Sequence, residues 1–140
     1  MIRFFGGRVM TLANGIETQD IEVWTDGSKI VFVGKPKAEE LDGKVFEREY
    51  DLKGNLLMPS FKNAHTHSAM TFLRSYADDM PLQDWLFKQI FPMEAKLDGE
   101  KVYWLTKLAI LEYLTTGCTA AFDMYFELDD YVKACIESGF

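Results

Sequence analysis

Two histidines separated by a single residue, His65 and His67, could do the most specific chemistry in this sequence, and its 140 residues contain no other histidine. In a β-strand, residues i and i+2 point to the same face, so both imidazoles can approach one ion. Neutral imidazole is a common ligand of zinc and similar metals. A catalytic zinc site keeps one position open for water and lowers the pKa of that water to about 7. The pair therefore predicts a hydrolytic metal site.

The residues around the pair decide between this interpretation and a simpler one. Two loop histidines near Asn63 and Ser68 could form hydrogen bonds and nothing more, and the tripeptide alone favours that alternative. The apolar run LLMPSF at residues 56–61, however, directly precedes the polar string KNAHTHS. Such a run predicts a buried strand that delivers side chains to a site. We therefore expect the histidines at the C-terminal end of a strand, where barrel enzymes carry their sites.

The elements that must position the pair begin at residue 58, where helical and strand-like segments alternate. The predicted elements are a helix over 81–91, a helix over 100–116 capped by Asp98 and Gly117, a strand over 118–124 and a helix over 129–138 ended by Gly139. This order is typical of βαβ units on a parallel sheet. A parallel barrel needs about 250 residues, so we expect two βα units whose exposed core is covered by later strands or by another chain, including a second copy.

Residues 1–57 have the composition of short strands joined by tight turns. The turns are predicted at Asn14-Gly15, Asp26-Gly27 and Asp42-Gly43. The runs DIEVWT and KIVFVG flank the second of these turns and predict a hairpin, with Ile21 and Val23 on one face and Trp24 on the other. We expect this half to be a small antiparallel β unit.

Composition and charge exclude several classes of function. The chain is 48% apolar and 26% charged, as soluble globular proteins are, and its formal net charge is −7. An acidic chain of this kind has no basic surface for nucleic-acid phosphates. No apolar run approaches the roughly 20 residues of a membrane span, and the first residues lack the apolar core of a signal peptide. We therefore expect a cytoplasmic protein that binds neither nucleic acid nor membranes.

The string LLMPSFKNAHTHSAMTFLRSYADDMPLQDWLFKQIFPMEAKL resembles the amidohydrolase superfamily, and within it the 5-methylthioadenosine/S-adenosylhomocysteine deaminases and their chlorohydrolase relatives. The HxH element occurs across the superfamily, whereas HTHxxMTxLRxxADDxPLxxWL is a narrower pattern. The resemblance covers the whole chain and implies an α/β fold. Residues 58–140 would be the first two βα units of a (β/α)8 TIM barrel, and residues 1–57 the N-terminal strands of a small flanking β-sandwich domain, both incomplete in this chain.

The resemblance also implies roles for individual side chains. His65 and His67 would bind one divalent metal ion, zinc or alternatively iron, with further ligands and the proton-transferring group on later strands, so no catalytic residue is expected within the chain. Trp85 would border the substrate, or alternatively pack in the core. Glu94 would bind ribose hydroxyls, or alternatively be solvated. Asp123, which ends a predicted strand, would face the site or orient a neighbour.

The implied activity of the complete enzyme is hydrolytic deamination of an adenine-type nucleoside of the methylthioadenosine or S-adenosylhomocysteine class, in which water attacks C6 and ammonia leaves. Guanine, triazine and cytosine-type rings suit the same chemistry, so another small heterocyclic substrate is one alternative. A non-catalytic fragment or interaction module is the other, because two ligands alone should not hold a catalytic metal. The 140-residue chain by itself is therefore expected to be inactive.

Overall fold

The computed structural model describes residues 1–13 and 15–140, which divide into two compact units, Met1–Pro59 and Ser60–Phe140. The turn predicted at Asn14-Gly15 includes Asn14, which lies outside the described residues. In the part of the chain that is described, no helix has both the length and the apolar character needed to cross a membrane.

The first unit is built from short strands. They are β1 (Ile2–Phe5), β2 (Arg8–Thr11), β3 (Glu17–Gln19), β4 (Glu22–Asp26), β5 (Lys29–Gly34), β6 (Arg48–Asp51) and β7 (Leu56–Leu57), with one short helix, α1 (Ala38–Leu41). One sheet has the order β5-β4-β1-β6 and another the order β3-β2-β7. The predicted hairpin is confirmed as the antiparallel pair of β4 and β5.

The prediction of a purely antiparallel unit is wrong. Strand β6 pairs with β1 in parallel, and β7 pairs with β2 in parallel. Parallel neighbours need a long connection, and residues 6–47, which include β2 to β5 and α1, separate β1 from β6. Val23 and Trp24, predicted on opposite faces of β4, are both buried. Trp24 stacks on Phe32 with ring centroids 4.1 Å apart, so β4 is covered on both faces.

The second unit has the predicted order of strand, helices, strand and helix. Its elements are β8 (Phe61–Thr66), a 3-10 helix (Ser68–Leu73), α2 (Leu82–Asp84), a π-helical segment (Trp85–Ile90), α3 (Phe91–Glu94), α4 (Gly99–Thr115), β9 (Cys118–Asp123) and α5 (Leu128–Ser138). Strands β8 and β9 pair in parallel, which confirms the βαβ arrangement. The run at 56–61 is not one strand, however. Leu56–Leu57 is β7 of the first unit, and β8 begins at Phe61 after Pro59, which has no N–H for a sheet.

Helix α4 supports the second unit. The Asp98 carboxylate accepts a hydrogen bond from the Lys101 backbone N–H at 3.0 Å, as an N-cap does. Gly117, with φ +82°, follows the helix and allows the chain to turn into β9. The buried positions lie on one side of the helix, at Val102, Thr106, Ala109 and Ile110. This side packs against the 3-10 helix and α5, so α4 fixes the segment that follows β8.

Truncation of Ile110 should measure how much this packing contributes to stability. Ile110 is 2% exposed, so Ile110→Ala should lower the free energy of unfolding by about 2–5 kcal/mol through lost burial and a residual cavity. Ile110→Val, which removes one methyl group, is the matched control and should cost about 0.5–1.5 kcal/mol. Chemical denaturation of the full-length protein measures both. If both variants lost the same small amount of unfolding free energy, packing of this face would not be what stabilises α4.

The first unit should lose stability in acid through Glu22. Arg3 donates to both carboxylate oxygens of Glu22, at 2.6 and 2.7 Å, and this contact holds the pKa of Glu22 below its ordinary value of 4.5. A carboxyl group whose pKa is lowered by folding stabilises the protein above its unfolded pKa, and this contribution is lost as the pH falls through the folded pKa. Glu22→Gln should therefore reduce stability at pH 7 and flatten its dependence on pH below about 4.5, measured by denaturation at several pH values. A variant with the wild-type acid dependence would contradict this.

Candidate functional site

His65 and His67 lie where strand β8 ends. His65 precedes the last residue of the strand, Thr66, and His67 follows it. The centroids of the two imidazole rings are 4.9 Å apart, and the rings are nearly perpendicular. Both side chains therefore lie on the same side of the chain, as the i, i+2 spacing predicts. His65 is exposed and His67 is half-buried.

The ring of His67 is oriented by a backbone carbonyl. Its Nδ1 atom lies 2.7 Å from the Met124 carbonyl oxygen. A carbonyl oxygen can only accept, so Nδ1 carries the proton, and in the neutral ring Nε2 keeps its lone pair. Metal-binding histidines usually donate their other N–H to a carbonyl or carboxylate in this way. The contact thus leaves Nε2 of His67 available to a metal ion.

The residues that end β9 hold the backbone on both sides of His67. The Met124 N–H donates to the Thr66 carbonyl oxygen at 3.1 Å. The Asp123 carboxylate accepts from the Ser68 N–H, with distances of 3.1 and 3.3 Å to its two oxygens. Of the two alternatives for Asp123, the structure thus shows that it orients a neighbour. The Met124 carbonyl was missed because a backbone atom leaves no signal in residue type.

A cavity of about 210 Å³ lies beside His67 and is also lined by Trp85 and Glu94. Three of the four predicted site residues thus line one cavity, whereas His65 is not among its lining residues. The helical segment from α2 to α3 supplies Trp85 and Glu94, and its π-helical turn begins at Trp85. Both side chains are half-buried. Both residues therefore border the cavity while remaining partly exposed, and their predicted roles toward a substrate stay predictions.

Tyr125 lines the same cavity and was not foreseen from the sequence. Burial, and then the neighbouring Glu94 and Asp123 carboxylates, raise the pKa of the Tyr125 phenol above its ordinary value. Its hydroxyl is buried and lies near the Glu94 carboxylate. A raised pKa favours the protonated phenol, which can act as a hydrogen-bond donor toward Glu94.

The donor chemistry of the site fits a zinc-type ion. Two imidazoles lie on one side of the chain, and the hydrogen bond to Met124 leaves Nε2 of His67 free. Within the described residues, no group of three or more His, Cys, Asp and Glu side chains could hold a metal ion. Two imidazoles by themselves would fill only part of the coordination sphere of a zinc-type ion.

Comparisons with known proteins agree on the family. The model of the amidohydrolase family matches residues 56–139. The 5-methylthioadenosine/S-adenosylhomocysteine deaminase of Desulfitobacterium hafniense is 42% identical over 118 residues, which cover 84% of this chain and 27% of that protein. The 5'-deoxyadenosine deaminase of Methanospirillum hungatei is 43% identical over 132 residues, which cover 92% of this chain and 29% of that protein.

A solved structure gives the same result for the fold. The crystal structure of an adenosine deaminase from Xanthomonas campestris with bound zinc superposes with a TM-score of 0.91 at 33% identity, over 99% of this chain and 32% of that chain. The chain thus spans between a quarter and a third of the length of these relatives. Because the family model covers more than half of the chain and the fold agrees over nearly all of it, the chain belongs to the amidohydrolase family.

Proposed function

We propose that this chain supplies two metal ligands and part of the substrate cavity to a deaminase of adenosine-type nucleosides. The observation that carries the proposal is that His67, with Nδ1 bound to a carbonyl and Nε2 free, lines one cavity with Trp85 and Glu94. The names of the three relatives described above, which are deaminases of adenosine or of its derivatives, support the substrate class. The activity is proposed for the complete protein, because the chain matches only part of each relative.

The metal ligands in this proposal are His65 and His67, and zinc is the metal we favour because the Xanthomonas campestris structure contains it. A divalent ion at such a site acts as a Lewis acid and lowers the pKa of water, which is the chemistry that hydrolytic deamination requires. The contribution of the chain is to orient the ligands. Met124 fixes the ring of His67, and Asp123 fixes the backbone that follows it.

The remaining cavity residues would bind and orient the nucleoside. Trp85 offers an aromatic surface to the purine ring. The Glu94 carboxylate can accept hydrogen bonds from two vicinal ribose hydroxyls, and such charge-assisted bonds are stronger than neutral ones. The buried hydroxyl of Tyr125 lies near Glu94 and would help to orient that carboxylate. The apolar side chains of Met70, Ile90 and Phe91 complete the wall and exclude water around the bound substrate.

Removal of either histidine should weaken metal binding in the full-length protein. Loss of a direct ligand should exceed the 10–100-fold loss that is typical of its supporting partners, so His65→Ala and His67→Ala should each weaken zinc binding by more than about 100-fold. Competition with a chromophoric chelator measures this affinity. Lys62→Ala is the control, since Lys62 lies on the same strand but bonds to Ser60 and Thr119. Wild-type affinity in both histidine variants would exclude the proposed site.

Substitution of Glu94 should separate nucleosides from free bases. If Glu94 binds the ribose, Glu94→Gln should remove about 1–3 kcal/mol of transition-state stabilisation, the size of a hydrogen bond to a charged group. That loss lowers kcat/KM for 5-methylthioadenosine by roughly 5–150-fold, whereas any slow turnover of adenine should change little. Glu100→Gln, an exposed carboxylate on α4, is the control.

The alternative substrates are distinguished in the same assay. A wild-type enzyme that deaminates guanine or hydrolyses a triazine in preference to 5-methylthioadenosine would contradict the nucleoside assignment. An equal loss for nucleoside and base in Glu94→Gln would show that Glu94 has a structural role and leaves the ribose unbound.

A further inference from the structure

The hydroxyl of Tyr113, on helix α4, lies between the two residues that flank His67. It is 2.5 Å from Thr66 Oγ1 and 2.9 Å from Ser68 Oγ. We propose that Tyr113 is a positioning residue for His67, acting through these two hydroxyls. The inference rests on the proposed role of His67 as a metal ligand, and it assigns a function to a side chain that the cavity and the ligand pair do not include.

The hydrogen bonds at Tyr113 form a connected chain. A phenol has one proton to donate and can also accept, so Tyr113 can hydrogen-bond to both hydroxyls at once. Ser68 is only 3% exposed, and its hydroxyl therefore depends on Tyr113 instead of water. Its backbone N–H is bound by Asp123. Loss of the phenolic hydroxyl would leave a buried serine hydroxyl without this partner, which the backbone could correct only by moving.

A movement of the backbone at Ser68 would change the orientation of the His67 imidazole. The backbone of His67 has φ −134° and ψ 78°, at the junction of β8 and the 3-10 helix, and is neither helical nor part of the strand. The His67 carbonyl accepts the first hydrogen bond of the 3-10 helix, from the Met70 N–H at 3.0 Å. The direction of the His67 side chain depends in addition on the contacts of the neighbouring residues. Met124 holds the Thr66 carbonyl, Asp123 holds the Ser68 N–H, and Tyr113 holds both side-chain hydroxyls. Among these contacts, the two made by Tyr113 connect the junction to helix α4.

Tyr113 is itself held firmly enough to act as a support. Its ring stacks on Phe140 with centroids 5.5 Å apart and an interplanar angle of 27°. It follows the buried positions Ala109 and Ile110 by about one helical turn on α4. Tyr113→Phe preserves the stacked ring and the helix packing and removes only the hydroxyl. That substitution therefore separates a positioning role from a packing role.

The test compares Tyr113→Phe with Tyr103→Phe in the full-length protein. Tyr103 is on the same helix, and its hydroxyl donates to Glu137 on α5, away from the histidines. We expect Tyr113→Phe to weaken zinc binding roughly tenfold, at the lower end of the 10–100-fold range for residues that orient metal ligands. We also expect it to change the visible absorption spectrum of the cobalt(II)-loaded protein. Tyr103→Phe should leave both unchanged, and both variants should melt at similar temperatures.

A double-mutant cycle shows whether the effect passes through Ser68. Ser68→Ala alone should weaken zinc binding by less than Tyr113→Phe, since it removes one of the two hydroxyl contacts. The double variant should bind zinc no more weakly than Tyr113→Phe alone, because coupled residues are not additive. Additive losses, or a Tyr113→Phe variant that matches Tyr103→Phe, would overturn the proposal. If Tyr113→Phe fails to fold, Ser68→Ala decides, and wild-type affinity and spectrum in that variant would overturn it.

His67→Ala separates this inference from the proposed function. Wild-type zinc affinity in His67→Ala would show that His67 is not a ligand, and both the metal site and the role of Tyr113 would then be wrong. A loss of zinc binding in His67→Ala together with an unchanged Tyr113→Phe would leave the metal site intact and reject only the positioning role. A loss in both, with Tyr103→Phe unchanged, is the result we expect.

Discussion

The parallel pairing of β8 with β9 is the interaction on which the candidate site depends. It places the end of β9 beside the end of β8, with Asp123 opposite Thr66. From there the Met124 carbonyl reaches the ring of His67, and the Asp123 carboxylate reaches the backbone of Ser68. The carboxyl ends of parallel strands meet at one edge, which is why α/β proteins build their sites there. One pairing thus fixes both the tautomer and the direction of a metal-ligand candidate.

The helices determine what lies around that edge. Helix α4 connects the site to the buried interior through Tyr113, and the helical segment from α2 to α3 brings Trp85 and Glu94 to the cavity. The π-helical segment Trp85–Ile90 begins at the first of these residues and leads into α3, which ends at the second. Pro92, in α3, has no N–H for a regular helical hydrogen bond, which is compatible with the irregular turn just before it. Such π-helical turns often occur at functional sites.

The parts of the structure that sequence could predict are those with local signals. The cap at Asp98, the turn at Gly117 and the cap at Gly139 define α4 and α5 closely, because capping depends on a few adjacent residues. The parallel pairing of β6 with β1 could not be predicted this way, since it depends on a crossover and not on a turn. The start of β8 was misplaced for a related reason, because an apolar run does not show which sheet each residue joins.

The sequence predicts the residue types of the candidate site, but it does not predict the contacts that orient them. The spacing of His65 and His67 correctly gives their common side, because strand geometry alone determines it. The contacts of Met124, Asp123, Tyr113 and Tyr125 come from residues that are 45 or more positions from His65 and His67, or from a backbone atom, and neither leaves a pattern in the sequence. Residue identity therefore indicates the chemistry, and the fold supplies the orientation.

The two histidines differ in how firmly their side chains are oriented. The ring of His67 is fixed by Met124, whereas the hydrogen bond recorded at His65 within the described residues is made by its backbone, from N–H to the Asn63 side chain at 3.2 Å. An exposed side chain without a fixed partner loses rotamer freedom when it binds, while an oriented one has already lost it. If both bind one ion, ordering the side chain of His65 would therefore cost more conformational entropy than ordering that of His67. Since the cavity also borders His67, the proposed metal site would have its more rigid ligand on the side of the proposed substrate.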